Sequence, residues 1–186
     1  MKKILILLLA SLAGSLGLGA APQQASDPQV EKVLVIFKTH LDIGFTDLSS
    51  KVEQRYIDYY IPKAIEVARR LREEGGDERY VWTTGAWLVD AYLRQATPEA
   101  AAELEEAIRR GDIVWNGVPY TVESESMNRA LFEGILRLSQ RLDARFGKHT
   151  SAAKMTDVPG HTRSIVPLLS EAGIGFLHVG TNPAVS

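Results

Sequence analysis

From Val33 onward, short apolar runs alternate with longer amphipathic stretches, and this rhythm constrains the chain more than any other feature. Five runs read as strands: Val33 to Phe37, Tyr80 to Thr83, Ile113 to Trp115, Ala152 to Met155 and Gly175 to Val179. The first is continuous and β-branched at its centre, as in a strand buried on both faces of a parallel sheet. Between them lie helical patterns. Val52, Tyr56, Tyr60, Ala64, Val67 and Leu71 mark one over about 50–74, which Pro62 should kink or split before Gly75 and Gly76 end it. A short helix follows over Trp87 to Arg94. Thr97 caps the next, with Pro98 in its first turn, and Gly111 stops it. Met127, Leu131, Ile135, Leu138, Leu142 and Phe146 trace a long amphipathic helix ending at Gly147, and Ser164 can cap a last one that tolerates Pro167 in its first turn. The expected fold class is therefore α/β: a parallel sheet of about five strands with flanking helices, either open or curling toward a barrel.

In such folds chemistry gathers at the carboxyl ends of the strands. Polar, reactive residues do fall just after each run. They include Lys38 to Phe45, Thr84 to Trp87, Asn116 to Tyr120 with Glu123 and Glu125, and Thr156 to His161. His40 and Asp42 are two apart in extended chain and so face one side. With Asp157 from another strand end, they make a mixed nitrogen and oxygen set of the kind a hydrolytic zinc accepts. Each also has a plainer role open to it. His-x-Asp pairs are common on surfaces, and a turn aspartate can cap the following helix. His161 either orients Asp157 or caps that helix. His149 reads as solvated, and His178 as a strand or core residue. Trp82, Trp87 and Trp115 read as core, and Glu123 and Glu125 as carboxylates favoured by a helix N-terminus.

Composition narrows the classes. There is no cysteine, so any metal must sit on histidine and carboxylate rather than thiolate. Twenty-one basic against 23 acidic residues, with no basic run, give nucleic acid no footprint. Lys2 and Lys3, the apolar run to Leu18 and the small residues Gly19 and Ala21 read as a signal peptide over 1–21, cleaved after Ala21, with a polar linker over 22–32 and the domain over 33–186. The expectation is export to the periplasm or beyond, with no stable membrane anchor.

The segment Val35-Ile36-Phe37-Lys38-Thr39-His40-Leu41-Asp42-Ile43-Gly44-Phe45 resembles the opening His-x-Asp-x-Gly-Trp motif of glycoside hydrolase family 38, the α-mannosidases. Thr156-Asp157-Val158-Pro159-Gly160-His161-Thr162 resembles its Asp-Pro-Phe-Gly-His-Ser motif. The resemblance runs from Val33 to Gly180. It implies a curled, seven-stranded barrel-like β/α catalytic domain and one zinc ion, with His40, Asp42 and Asp157 as ligands. Asp157 would also be the nucleophile, His161 its orienting neighbour, and Phe45, where the family has Trp, a surface for the sugar ring. A fourth ligand and the general acid would come from the C-terminal part of the same protein, because Ser186 ends the sequence just past the fifth strand. The expected function is zinc-dependent retaining hydrolysis of α-mannosidic or related bonds in a carbohydrate. A metal-dependent polysaccharide deacetylase and a non-catalytic exported carbohydrate-binding protein are the alternatives. An opening His rather than paired aspartates argues against the first, and the Phe45 change keeps the second open.

Overall fold

The computed structural model describes residues 38–182 together with Glu31, Val33, Val35 and Ile36. The chain divides into two units, Met1–Leu34 and Val35–Ser186. Of the first, Glu31 and Val33 are described, and both are exposed. The expected signal peptide and nearly all of the linker lie outside the described residues, as does part of the first expected strand. No helix among the described residues is long and apolar enough to cross a membrane.

The second unit opens with helix α1 (Ser49–Arg55), a π-helical turn (Tyr56–Tyr60) and α2 (Ile61–Glu73). This is the split expected at Pro62, but it takes the form of a wide turn rather than a break. Proline lacks an N–H and its ring crowds the carbonyl four residues back. The chain widens just before it, so that the Ile61 amide reaches Tyr56 O instead. Strand β1 (Trp82–Gly85) leads into α3 (Ala86–Gln95), then α4 (Pro98–Arg110), β2 (Ile113–Asn116), a 3₁₀ turn (Ser124–Ser126), α5 (Arg129–Phe146), β3 (Ala152–Val158), α6 (Ile165–Glu171) and β4 (Phe176–Thr181). Thr97 Oγ1 accepts from Ala100 N at 3.3 Å, as the cap reading requires, and Gly111 closes α4 at φ 82°. Ser164 precedes α6 but makes no side-chain cap; its hydroxyl meets Thr162 Oγ1 at 3.1 Å.

The sheet differs from expectation. Among the described residues two parallel two-stranded pairs form, β1 with β2 and β3 with β4, rather than one five-stranded sheet. Lys38 adds a parallel bridge to Thr83 beside β1. Between the pairs, Gly117 N donates to Ala152 O at 2.9 Å. Here β2 has just ended where β3 begins, so the stagger leaves no length for a ladder. A Cβ on Gly117 would stand 2.6 Å from Ile174 Cδ1, so a side chain there would have to displace Ile174. Strand β1 begins and ends two residues later than expected, and β3 runs on to Val158, carrying Asp157 inside the strand instead of after it.

Two apolar clusters hold this arrangement. Trp82, Ile113 and Trp115 of the first strand pair pack with Leu88, Leu104 and Ile108 of the helices. Ala153 and Met155 of β3 pack with Phe132, Leu136, Ile165 and Leu169. The intervening residues Lys154 and Thr156 face a cavity, as the two-residue period of a strand dictates. Buried Asp112, 1% exposed, ties the ends of α2 and α4 to β2 by accepting from Arg72 Nε at 2.9 Å and Arg110 Nε at 3.0 Å. Trp115 Nε1 donates to Asp143 Oδ1 at 2.9 Å, fixing the last turns of α5 against β2.

Candidate metal centre

The segment carrying His40 is anchored by its neighbour. Thr39 N donates to Thr83 O at 3.1 Å, and Trp82 Nε1 donates to Thr39 Oγ1. From the π-helical turn, Tyr56 Oη donates to His40 O at 3.4 Å. Burial, Tyr60 and Asp42 together raise the Tyr56 pKa, so the hydroxyl keeps the proton this contact needs. His40 Nε2 then stands 3.0 Å from Asp42 Oδ1, on the shared side that extended spacing predicts.

Asp157 reaches the same point by an unusual backbone. It is the one non-glycine among the described residues with positive φ, at 69°. Pairing of β3 with β4 runs Thr156 to Gly180 and then Val158 to Thr181, so Asp157 is the unpaired residue of a bulge. Bulges re-aim side chains, and aspartate tolerates the left-handed region better than most residues. Asp157 Oδ2 lies 3.4 Å from His40 Nε2, and one ligand atom from each of His40, Asp42 and Asp157 falls within 4.8 Å of the others.

The distances from His40 Nε2 to the two carboxylates, 3.0 and 3.4 Å, suit a shared cation. Two atoms each ~2.1 Å from a tetrahedral zinc stand about 3.4 Å apart. One imidazole nitrogen and two carboxylates also match the donor types zinc takes in hydrolytic sites, with a position left open.

The three side chains sit at a cavity of about 490 Å³. Its wall includes Thr84, Gly85, Trp87, Asn116, Pro119, Tyr120, Lys154 and Thr156. Gly85 permits this closeness, since a Cβ there would lie 2.2 Å from Pro119 O. Trp82 and Trp115 are core, as expected, whereas Trp87 packs on the core and also lines the cavity. Phe45 is 85% exposed and is not among the lining residues. Glu123 precedes the 3₁₀ turn and Glu125 lies within it, and neither lines the cavity.

His161 does not take the orienting role toward Asp157. Its Nδ1 lies 3.2 Å from Ser124 Oγ, and its Nε2 is buried with no partner among the described residues. The ring is thus bonded to the 3₁₀ turn rather than to the carboxylate. Burial lowers the His161 pKa, against the opposing pull of Glu123 and Glu125.

Sequence reasoning missed Lys154, although strand alternation with Thr156 placed it on the cavity side. Its Nζ donates to Thr156 Oγ1 at 2.8 Å. Burial, and then the neighbouring Lys38, bring its pKa down to about 8. An unfolded lysine near 10.5 therefore binds more protons than the folded one across the window between these values. Stability should rise as pH climbs from about 8 toward 10.5 and lose that gain on the way back down. Solvent screening keeps the effect small. Urea midpoints measured across this window should show the rise in the native chain and a flatter profile in Lys154→Met.

A search of curated proteins returned no match. The model of the glycosyl hydrolases family 38 N-terminal domain matches residues 31–180, which takes in His40, Asp42 and Asp157. The chain thus belongs to glycoside hydrolase family 38 and carries its N-terminal domain.

Proposed function

We propose that this chain supplies the metal-binding and nucleophilic part of a zinc-dependent retaining glycosidase acting on α-mannosidic or related bonds. Family membership supports glycosidase-type chemistry, and the observation that carries the finer reading is the convergence of His40, Asp42 and Asp157. His40 and Asp42 would hold the ion, with Asp157 as third ligand. Zinc, when bound, supplies a Lewis-acidic charge that steadies sugar hydroxyls beside the nucleophile. The Asp157 carboxylate attacks the anomeric carbon, and the glycosidic bond to the leaving oxygen breaks as the ester to Asp157 forms. Water then releases the sugar and restores the carboxylate. Asp42 and Asp157 are the carboxylates lining the cavity, and both face His40. Among the described lining residues no third carboxylate is therefore left to protonate the leaving oxygen. The curled seven-stranded barrel and export by a signal peptide belong to the same reading.

Two measurements test it. Equilibrium dialysis should find one zinc per chain, removable by chelator. An activated fluoro-sugar α-mannoside, whose leaving group needs no acid, should trap a covalent ester on the peptide containing Asp157. Absence of zinc uptake sinks the metal centre. An ester on another residue, or none, sinks the nucleophile assignment. Sugar binding without zinc would favour a carbohydrate-binding protein, and release of acetate from an acetylated glycan would favour a deacetylase.

A further inference from the structure

Asp157 holds a left-handed backbone conformation that non-glycine residues seldom adopt, and such a conformation persists only when its surroundings over-determine it. The bulge itself offers little restraint, because its residue makes no ladder pairing. On the strand side, Val158 pairs with Thr181, and Asn182 N donates to Val158 O at 3.2 Å. These bonds fix Val158 to β4 but do not extend to Pro159 or Gly160.

The connection between β2 and α5 supplies the remaining restraints. Thr121 Oγ1 accepts from Thr156 N at 3.4 Å, just before Asp157. Ser124 Oγ accepts from Thr162 N at 3.1 Å, beyond the turn, and meets His161 Nδ1 at 3.2 Å. Ser124 is 2% exposed, so its bonds are shielded from water. A hydroxyl has one proton and two lone pairs. With Thr162 N donating to it, Ser124 can give its own proton to a neutral His161. One buried serine therefore satisfies a main-chain amide and an imidazole together.

We infer that Ser124 is a positioning residue for the metal centre: with Thr121 it clamps the segment 156–162 at both ends, and so keeps the Asp157 carboxylate aimed at His40. The inference rests on the proposed metal-binding reading for its consequence, but the clamp itself can be tested without metal. Removing the Ser124 hydroxyl frees the far side of the turn. Asp157 can then relax toward an ordinary extended backbone, which swings its carboxylate out of the ligand set. The Thr121 bond is longer, so its loss should matter less.

The experiment compares the full chain with Ser124→Ala and Thr121→Val. In metal-free protein, hydrogen exchange of the amides over 158–162 should quicken about tenfold or more in Ser124→Ala, with amides in α5 unchanged. Zinc affinity per folded molecule, measured by competition with a chromophoric chelator, should fall about tenfold, the lower end of what loss of an orienting partner costs a metal site. Thr121→Val should show the same changes, but smaller. A purely structural serine would lower the folded fraction and leave affinity per folded molecule intact, and that result overturns the inference. So does unchanged exchange over 158–162. Failure of the native chain to bind zinc would sink the metal reading, while the exchange data still decide the clamp.

Discussion

Phe132→Ala should destabilise the chain by about 3–5 kcal/mol, the range for emptying a fully buried aromatic site. Phe132 is 1% exposed and sits in the second apolar cluster with Met155, Ile165, Leu168 and Leu169. It lies in the first turn of α5, where Asn128 Oδ1 caps the helix by accepting from Leu131 N at 2.9 Å. The loss is large against the ~5–15 kcal/mol that domains possess in total. Urea denaturation measures it, and the neighbouring Leu131→Ala serves as control. Leu131 is 52% exposed on the same helix, so its truncation should cost only about 0.5 kcal/mol or less. Equal losses at the two positions would mean that α5 does not present Phe132 to the sheet. The consequence reaches the site, because the same cluster holds the back of β3, the strand from which Asp157 projects.

The range of the forces involved decides which features were legible in the sequence and which were not. Helix limits were legible where local chemistry sets them. Thr97 with Pro98 and the glycines at 111 and 147 act within a few residues of their own position. Strand limits were not, because pairing with distant segments sets them: Thr84 and Gly85 join β1 only because Trp115 and Asn116 lie alongside. The expected five-stranded sheet is present only as two strand pairs among the described residues, because β2 ends where β3 begins, at the bond from Gly117 N to Ala152 O. At the site, strand period put His40 and Asp42 on one side, and topology brought Asp157 near. The bulge that aims Asp157 had no local signature, as an aspartate before Val-Pro-Gly reads equally well as a turn. His161 misled because its neighbour in sequence is Asp157, whereas its neighbour in space is Ser124, 37 positions away.

Removing a ligand should produce the largest change of all. Structural zinc sites with four ligands bind with about 10–16 kcal/mol, or roughly 3 kcal/mol for each ligand. At ~1.4 kcal/mol per power of ten, His40→Ala, Asp42→Ala and Asp157→Ala should each weaken zinc binding by about a hundredfold or more. His149→Ala is the control: that histidine is exposed and not among the three converging groups, so its loss should leave affinity where it was. Asp157→Asn separates two roles that one residue is asked to play. Asparagine tolerates the left-handed backbone and keeps one oxygen of similar shape, but it has lost the charge. Some zinc should therefore remain, at reduced affinity, while the covalent sugar ester disappears, because a neutral amide is a poor nucleophile. Were Asp157→Asn to form the ester at the native rate, the attacking group would lie elsewhere. Were all three alanine variants to bind zinc like the native chain, the ion would be held outside this cavity, and the meeting of the three side chains would be a hydrogen-bonded surface cluster.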